Sequence, residues 1–274
     1  MLRARLATAA VAIPLLLVVI LYGPAWLWAV VVGIIASIGI GEYATMAFPA
    51  RRGERILTTA LGALVIIGSV CQRQPNGFMA AGLTAVVVVG LVWTLLTRPD
   101  FEQGLSDLGF STVGILYVSL LAPHFMWLHQ FGTDGPGWVV FVLAIGMGGD
   151  TGGYFAGHGF GRHKLLPRVS PGKTIEGAIG IIAASLVVGA GVKLVPYLLG
   201  FSFLRGTSWT EVLFLSGVMA VLGQLGDLSE SIMKRTFGVK ESGWLFPGHG
   251  GVLDRLDSLL FPVAFLYYYL TLFH

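Results

Sequence analysis

Two stretches of the chain concentrate the residues able to do chemistry. The first runs from Gly148 to Gly177 and reads GGDTGGYFAGHGFGRHKLLPRVSPGKTIEG. Asp150 opens it, near the end of an apolar run where an ionised carboxylate needs a partner. Glycines follow, with the cations Arg162, Lys164, Arg168 and Lys173. Glycine lets backbone amides approach an anion closely and the cations supply countercharge, so this stretch reads as a phosphate-binding loop. The competing reading is a flexible loop whose cations only set membrane topology. The second stretch, QLGDLSESIMKRTFGVKESGWLFPGHGGVLDRLDS, runs from Gln224 to Ser258. Asp227, Glu230 or Ser231, and Lys234 recur at helical spacing, so one helix face passes from acidic to basic. Asp254 and Asp257 share a face of the next helix. Three carboxylates on adjoining helices, with a glycine-rich turn between them, form an oxygen-rich set suited to Mg²⁺. The competing reading makes the acids structural partners of Lys234 or Arg235; Arg255, the immediate neighbour of Asp254, does not face it.

Gly172-Lys173-Thr174 resembles the tail of a P-loop, but Pro167 stands where that motif needs its first glycine, which excludes a Walker fold. Ser170, Lys173 and Thr174 just before a helix can still bind phosphate through hydroxyls, an ammonium and helix N-terminal amides. His249 has no second histidine at metal-ligand spacing and reads as a hydrogen-bonding residue of the turn. Glu42 stands in an apolar stretch, where helix packing explains it as well as catalysis does. The single Cys71 excludes a disulfide scaffold or a cysteine metal site.

The elements that must position these groups follow from composition. Of 274 residues, 55% are hydrophobic and 11% charged, against roughly 25% charged in a soluble domain. A helix crosses about 30 Å of hydrocarbon in about 20 residues. On that length nine candidate spans appear: 6–22, 25–48, 57–72, 78–97, 108–130, 137–157, 177–200, 209–233 and 252–273. The expected fold is an all-α integral membrane protein, a polytopic bundle of about nine transmembrane helices with its polar site at the cytoplasmic face. Sheet is not expected, because a membrane barrel alternates polar and apolar residues. The chain reads as one membrane domain, 1–274, with N-terminal helices in 1–135 and the site in 136–274. Arg3 and Arg5 precede an apolar run longer than a signal peptide needs, so an uncleaved first helix is expected.

With a cytoplasmic N-terminus, 14 of the 17 Lys and Arg residues fall on the cytoplasmic side and only Arg73, Lys193 and Arg205 opposite. That division is a positive-inside signal and places His274 outside. Arg3, Arg5, Arg51, Arg52 and Arg55 are read as topology signals alone. The formal charge of +3 is too small and scattered to suggest nucleic-acid binding.

The run Ser231-Ile-Met-Lys234-Arg235, four residues, Lys240, then Pro247-Gly-His249-Gly-Gly-Val-Leu-Asp254-Arg255-Leu-Asp257-Ser258 resembles the signature of phosphatidate cytidylyltransferases. Asp150, Gly161 and Ser170-Pro-Gly-Lys173-Thr174 match that family's other polar block. Glu241 departs from the pattern, where the family usually carries Asp. The resemblance implies that CTP and phosphatidate give CDP-diacylglycerol and pyrophosphate. It implies Mg²⁺, as one or two divalent ions with room for a second, monovalent one. It also implies a homodimer in the bilayer of a bacterial inner membrane. Lys173, Asp227, Lys234, Asp254 and Asp257 become the expected catalytic residues, with Asp227, Asp254 and Asp257 on the metal. Asp150, Ser170, Thr174, Ser231, Arg235, Lys240, His249 and Arg255 become the expected substrate-binding residues. Two other readings compete: an ion-coupled transporter, which needs a path to both faces, and another CTP-dependent membrane lipid kinase.

Overall fold

The computed structural model describes residues 14–70, 77–198, 204, 206–244 and 250–274. Helix α1 covers residues 14–22 of the described chain. The rest of the first candidate span, and with it Arg3 and Arg5, lies outside the described residues. There follow α2 (Ala25–Ala47), α3 (Arg52–Val70), α4 (Gly77–Thr97), α5 (Phe101–Gly114), α6 (His124–His129) and α7 (Gly135–Phe160). A hairpin of β1 (Lys164–Leu166) and β2 (Ser170–Thr174) leads into α8 (Ile175–Leu198), α9 (Trp209–Thr236) and α10 (Leu253–Phe273). Among the described residues, eight helical stretches are long and apolar enough to cross a membrane. The protein is an integral membrane protein built of helices. Apolar side chains such as Val88, Leu95, Val187 and Val195 lie exposed on α4 and α8, as the outer surface of a bilayer protein requires.

The span expected at 108–130 is not one regular helix: α5 passes into a π-helical stretch at Ile115–Leu120 and a turn before α6. The hairpin corrects the expectation of a sheet-free chain. It is antiparallel, pairing Lys164 with Thr174 and Leu166 with Ser170. Val169 N donates to Leu166 O (3.1 Å) around Pro167, whose fixed φ suits the second position of such a turn.

Buried apolar residues form two layers along the bundle. Trp28 and Val32 of α2 pack with Phe141 and Val142 of α7, Leu215 of α9 and Val263 of α10. Ile40 and Tyr43 of α2 pack with Val65 of α3, Ile115, Val118 and Leu260 of α10. Polar contacts cap each end. At one, His129 Nε2 meets Ile20 O (2.8 Å) and His274 Nε2 meets Glu211 Oε1 (2.6 Å). At the other, Arg51 pairs with Asp107, and Arg98 bridges Glu54 and Asp107. Arg51 is therefore a structural partner, which its reading as a topology signal alone did not include.

Close helix contacts come from small residues. A Cβ added to Gly152 would lie 2.2 Å from Ala184 Cβ, and one added to Gly180 2.3 Å from Ala156 Cβ. Helices α7 and α8 thus approach backbone to backbone, as small-residue seams allow in membranes. Helix α9 touches α10 in the same way: a Cβ on Gly226 would lie 2.2 Å from Asp257 O.

Candidate active site

A cavity of about 390 Å³ opens between α7, the hairpin, α8 and α9. Gly153, Gly157 and Gly177 form part of its wall. Here the glycine stretch differs from its expected role in bringing backbone amides to an anion. Gly148 to Gly159 lie within α7, so their amides belong to the helix ladder, and the missing side chains serve packing against α8 and leave room for the cavity. Tyr154 and His158, one turn apart on α7, stack beside it with ring centroids 5.9 Å apart.

Lys173 enters the cavity from β2. Its Nζ lies 2.5 Å from Asp227 Oδ2, with both side chains partly exposed to the opening. Asp150 lines the same cavity from α7 and interacts electrostatically with Asp227, Lys173 and Arg255. Across the α9–α10 contact, Asp257 is buried and interacts with Asp227 and Glu230. Ser231 Oγ sits 3.5 Å from Asp227 Oδ1, one helical turn on, and helps to orient it.

Asp254 faces elsewhere. Its Oδ1 is 2.6 Å from Lys234 Nζ, and its Oδ2 accepts from Ser242 N (2.9 Å), Ser242 Oγ (2.8 Å) and Gly251 N (2.8 Å). Gly250, at φ +77°, supplies the left-handed turn that brings this backbone round the carboxylate. Lys234 also holds Glu230 Oε2 at 2.5 Å, and neither Lys234 nor Asp254 lines the cavity. The three expected metal ligands therefore do not converge: Asp227 and Asp257 come together, and Asp254 is occupied by a lysine and three donors.

Among the described residues no group of three His, Cys, Asp or Glu converges tightly enough to hold a metal ion alone. Mg²⁺ is usually held by one or two carboxylates together with substrate phosphates and waters. Asp227 and Asp257, with Asp150 nearby, fit that pattern: their donors are oxygen only, and two of the three face an open cavity.

The remaining expected residues take several places. Thr174 caps α8, its Oγ1 accepting from Gly177 N (3.1 Å), and also lines the cavity. Ser170 pairs with Leu166 in the hairpin. Arg235 donates to Val169 O (3.3 Å) and Val239 O (3.2 Å), clamping the hairpin tip to the end of α9. Lys240 and Arg255 are exposed. His249 lies outside the described residues.

Lys234 is expected to matter for stability. Its side chain is 12% exposed between Glu230 at 0% and Asp254 at 13%, and removing one partner of a buried ion cluster costs about 3–5 kcal/mol. Lys234→Met should therefore lower the unfolding midpoint of the detergent-purified protein sharply, and adding Asp254→Asn should recover part of the loss. An unchanged midpoint would show that the cluster is not structural.

The profile of the cytidylyltransferase family matches residues 3–273. The chain belongs to that family. It is similar to the phosphatidate cytidylyltransferase of Bacillus subtilis (strain 168), with 33% identity over 78% of each chain. The phosphatidate cytidylyltransferase of Staphylococcus saprophyticus is 35% identical over 77% of this chain and 76% of its own. That of Staphylococcus aureus (strain COL) is 32% identical over 96% of this chain and 97% of its own.

Sequence reasoning passed over Glu176 and Gln224 in this cytidylyltransferase and left Glu230 undecided. Glu176 accepts from Arg162 N (3.0 Å) and His163 N (3.2 Å), anchoring the hairpin to α8. Its place three residues after Lys173, as the acid that follows four cations, is the available signal. Glu230 was one of two candidates for its helix face and proves to be the partner of Lys234. Gln224, one turn before Asp227, lines the cavity.

Proposed function

We propose that this cytidylyltransferase joins CTP to phosphatidate at the Lys173–Asp227 cavity, giving CDP-diacylglycerol and pyrophosphate. The observation that carries the reading is one glycine-walled cavity where an ammonium and two carboxylates meet, in a chain whose relatives are named phosphatidate cytidylyltransferases. Its volume falls in the range of ligand pockets.

A phosphate monoester has its second pKa at about 6 and is mostly dianionic at neutral pH. Its oxygen needs no general base to attack the α-phosphorus of CTP. One P–O bond forms, the bond from that phosphorus to the β-phosphate oxygen breaks, and the electron pair leaves with pyrophosphate. The protein's part is to align two polyanions and offset their charge. Lys173 exchanges Asp227 for a CTP phosphate oxygen. Arg255, which interacts with Asp150, adds positive charge beside it. Asp227 and Asp257, with Asp150 beside them, would hold Mg²⁺, which when bound neutralises phosphate charge and favours departure of pyrophosphate. The acyl chains of phosphatidate remain in the bilayer while its phosphate reaches the cavity.

The deciding assay incubates purified protein with CTP, phosphatidate and Mg²⁺. Pyrophosphate release is expected only when both substrates are present. Release with CTP alone at the same rate would point to a hydrolase.

The cation distribution supports nine spans in one membrane unit, with the cavity and the N-terminus cytoplasmic and His274 outside. A homodimer is the assembly that the family resemblance implies. Single-cysteine labelling in a Cys71-free background should find positions 51, 164 and 240 on the cytoplasmic side and 274 opposite. Labelling of 164 and 240 from different sides would break the site apart.

A further inference from the structure

Glu42 stands in α2, in the half of the chain that contributes nothing to the cavity lining, yet its carboxylate ends at the entry of α10. Oε1 accepts from Val252 N (3.0 Å), and Oε2 accepts from Leu253 N (2.9 Å) and lies 3.2 Å from Ser242 Oγ. Helix α10 has no side-chain cap of its own at Val252. The first amides of a helix need outside acceptors, and a negative charge there is favoured by the helix dipole. Glu42 supplies both from a position more than 200 residues away. Gly243 and Gly251 make room for it: a Cβ on either would lie 2.4 or 2.3 Å from a Glu42 oxygen.

The contact does not stop at the cap. Ser242 Oγ also lies 2.8 Å from Asp254 Oδ2, so one hydroxyl links two carboxylates. Asp254 holds Lys234, Lys234 holds Glu230, and Glu230 meets Asp257. Hydrogen bonds and ion pairs therefore run from α2 to Glu230, which interacts electrostatically with Asp257, the carboxylate that flanks Asp227.

We propose that Glu42 is a positioning residue of the cytidylyl-transfer site, fixing the start of α10 and, through Ser242, Asp254, Lys234 and Glu230, the placement of Asp257. The inference rests on the reading that Asp227 and Asp257 serve the reaction. A carboxylate that is merely well packed would affect folding and leave the turnover of folded protein alone. A positioning residue acts on turnover, since a displacement of about 1 Å at a site costs on the order of 100-fold in rate.

The test compares full-length wild type, Glu42→Gln, Ser242→Ala and the double variant, each purified with lipid. Glutamine keeps the shape but sets an amide donor against backbone N–H groups. We expect Glu42→Gln to lower kcat by about 100-fold while KM for CTP stays within about threefold, the mark of an effect on the reacting geometry. Ser242→Ala should lower kcat less, and the double variant should be little worse than Glu42→Gln, because both act along one path. Trypsin cleavage after the exposed Lys240 should quicken in Glu42→Gln as the turn loosens. Active wild type with unchanged kcat in Glu42→Gln, or losses that simply add in the double variant, would overturn the inference alone. If Glu42→Gln does not fold, Ser242→Ala carries the same requirement, and wild-type kcat there overturns it. Wild type without any phosphatidate-dependent pyrophosphate release removes the reaction and this inference together.

Discussion

Lys173→Ala is expected to lower CTP-dependent turnover by about 100- to 1,000-fold, the loss typical of removing one preorganised donor from a charge-stabilising site. Among the described residues Lys173 is the lysine or arginine that lines the cavity, and without it Arg255, which does not line the cavity, is left to offset the charge of Asp150 and the triphosphate. Folding should change little. The Lys173–Asp227 pair is 24% and 31% exposed, and such pairs contribute about 1 kcal/mol or less to stability. Initial rates and thermal unfolding, measured in one detergent, separate the two effects. A midpoint that falls in step with activity would make Lys173 a structural residue. Lys173→Arg retains the charge with a different shape, and its partial activity would show that charge is the larger part of the role.

The second large effect concerns Asp227 and Asp257. Asparagine keeps nearly the same shape and removes the negative charge, so each variant should fold while activity falls by about 100-fold or more. The double variant should lose less than the product of the single losses, because the two carboxylates serve as a unit. Raising Mg²⁺ should partly restore at least one single variant, since weaker ligands need more of the ion. Asp254→Asn should behave differently: its oxygens serve Lys234, Ser242 and Gly251, so its cost should appear first in the unfolding midpoint. If Asp227→Asn with Lys173→Met regained activity while the Mg²⁺ dependence stayed unchanged, Asp227 would be only the partner of Lys173 and the metal assignment would fail.

What was legible in the sequence was whatever is encoded locally. Length and apolarity marked the spans, because a helix in lipid must satisfy its own backbone and cross a fixed thickness. Asp227, Ser231 and Lys234 could be placed on one face because helical spacing does that without knowledge of the rest of the fold. The hairpin was hidden because its strands are three and five residues long and carry no alternating pattern. The partner of Asp254 was open for a different reason. Lys234 and a metal ion are equally good counter-charges in one dimension, and only the fold, which brings Lys234, Ser242 and Gly251 to Asp254, decides between them. The glycines of α7 suggest close backbone approach to an anion, yet in a membrane the same residues permit the closest helix contact. Glu42 was visible as an unusual acid, but no local rule connects residue 42 to residue 252.

The seam between α7 and α8 also bears on how the cavity can change size. Where Gly152 faces Ala184 and Gly180 faces Ala156, there is no rotamer to swing aside, because the surfaces in contact are backbone and methyl groups. The spacing of α7 and α8, which both contribute to the cavity lining, therefore cannot change by small side-chain adjustments along the seam. A substrate that needs more width must displace α7 or α8 as a whole rod, on the slower timescale of collective helix motion. Accommodation of different lipids is therefore confined to the walls built from larger side chains, and the glycine seam serves as a fixed datum against which the phosphates are registered.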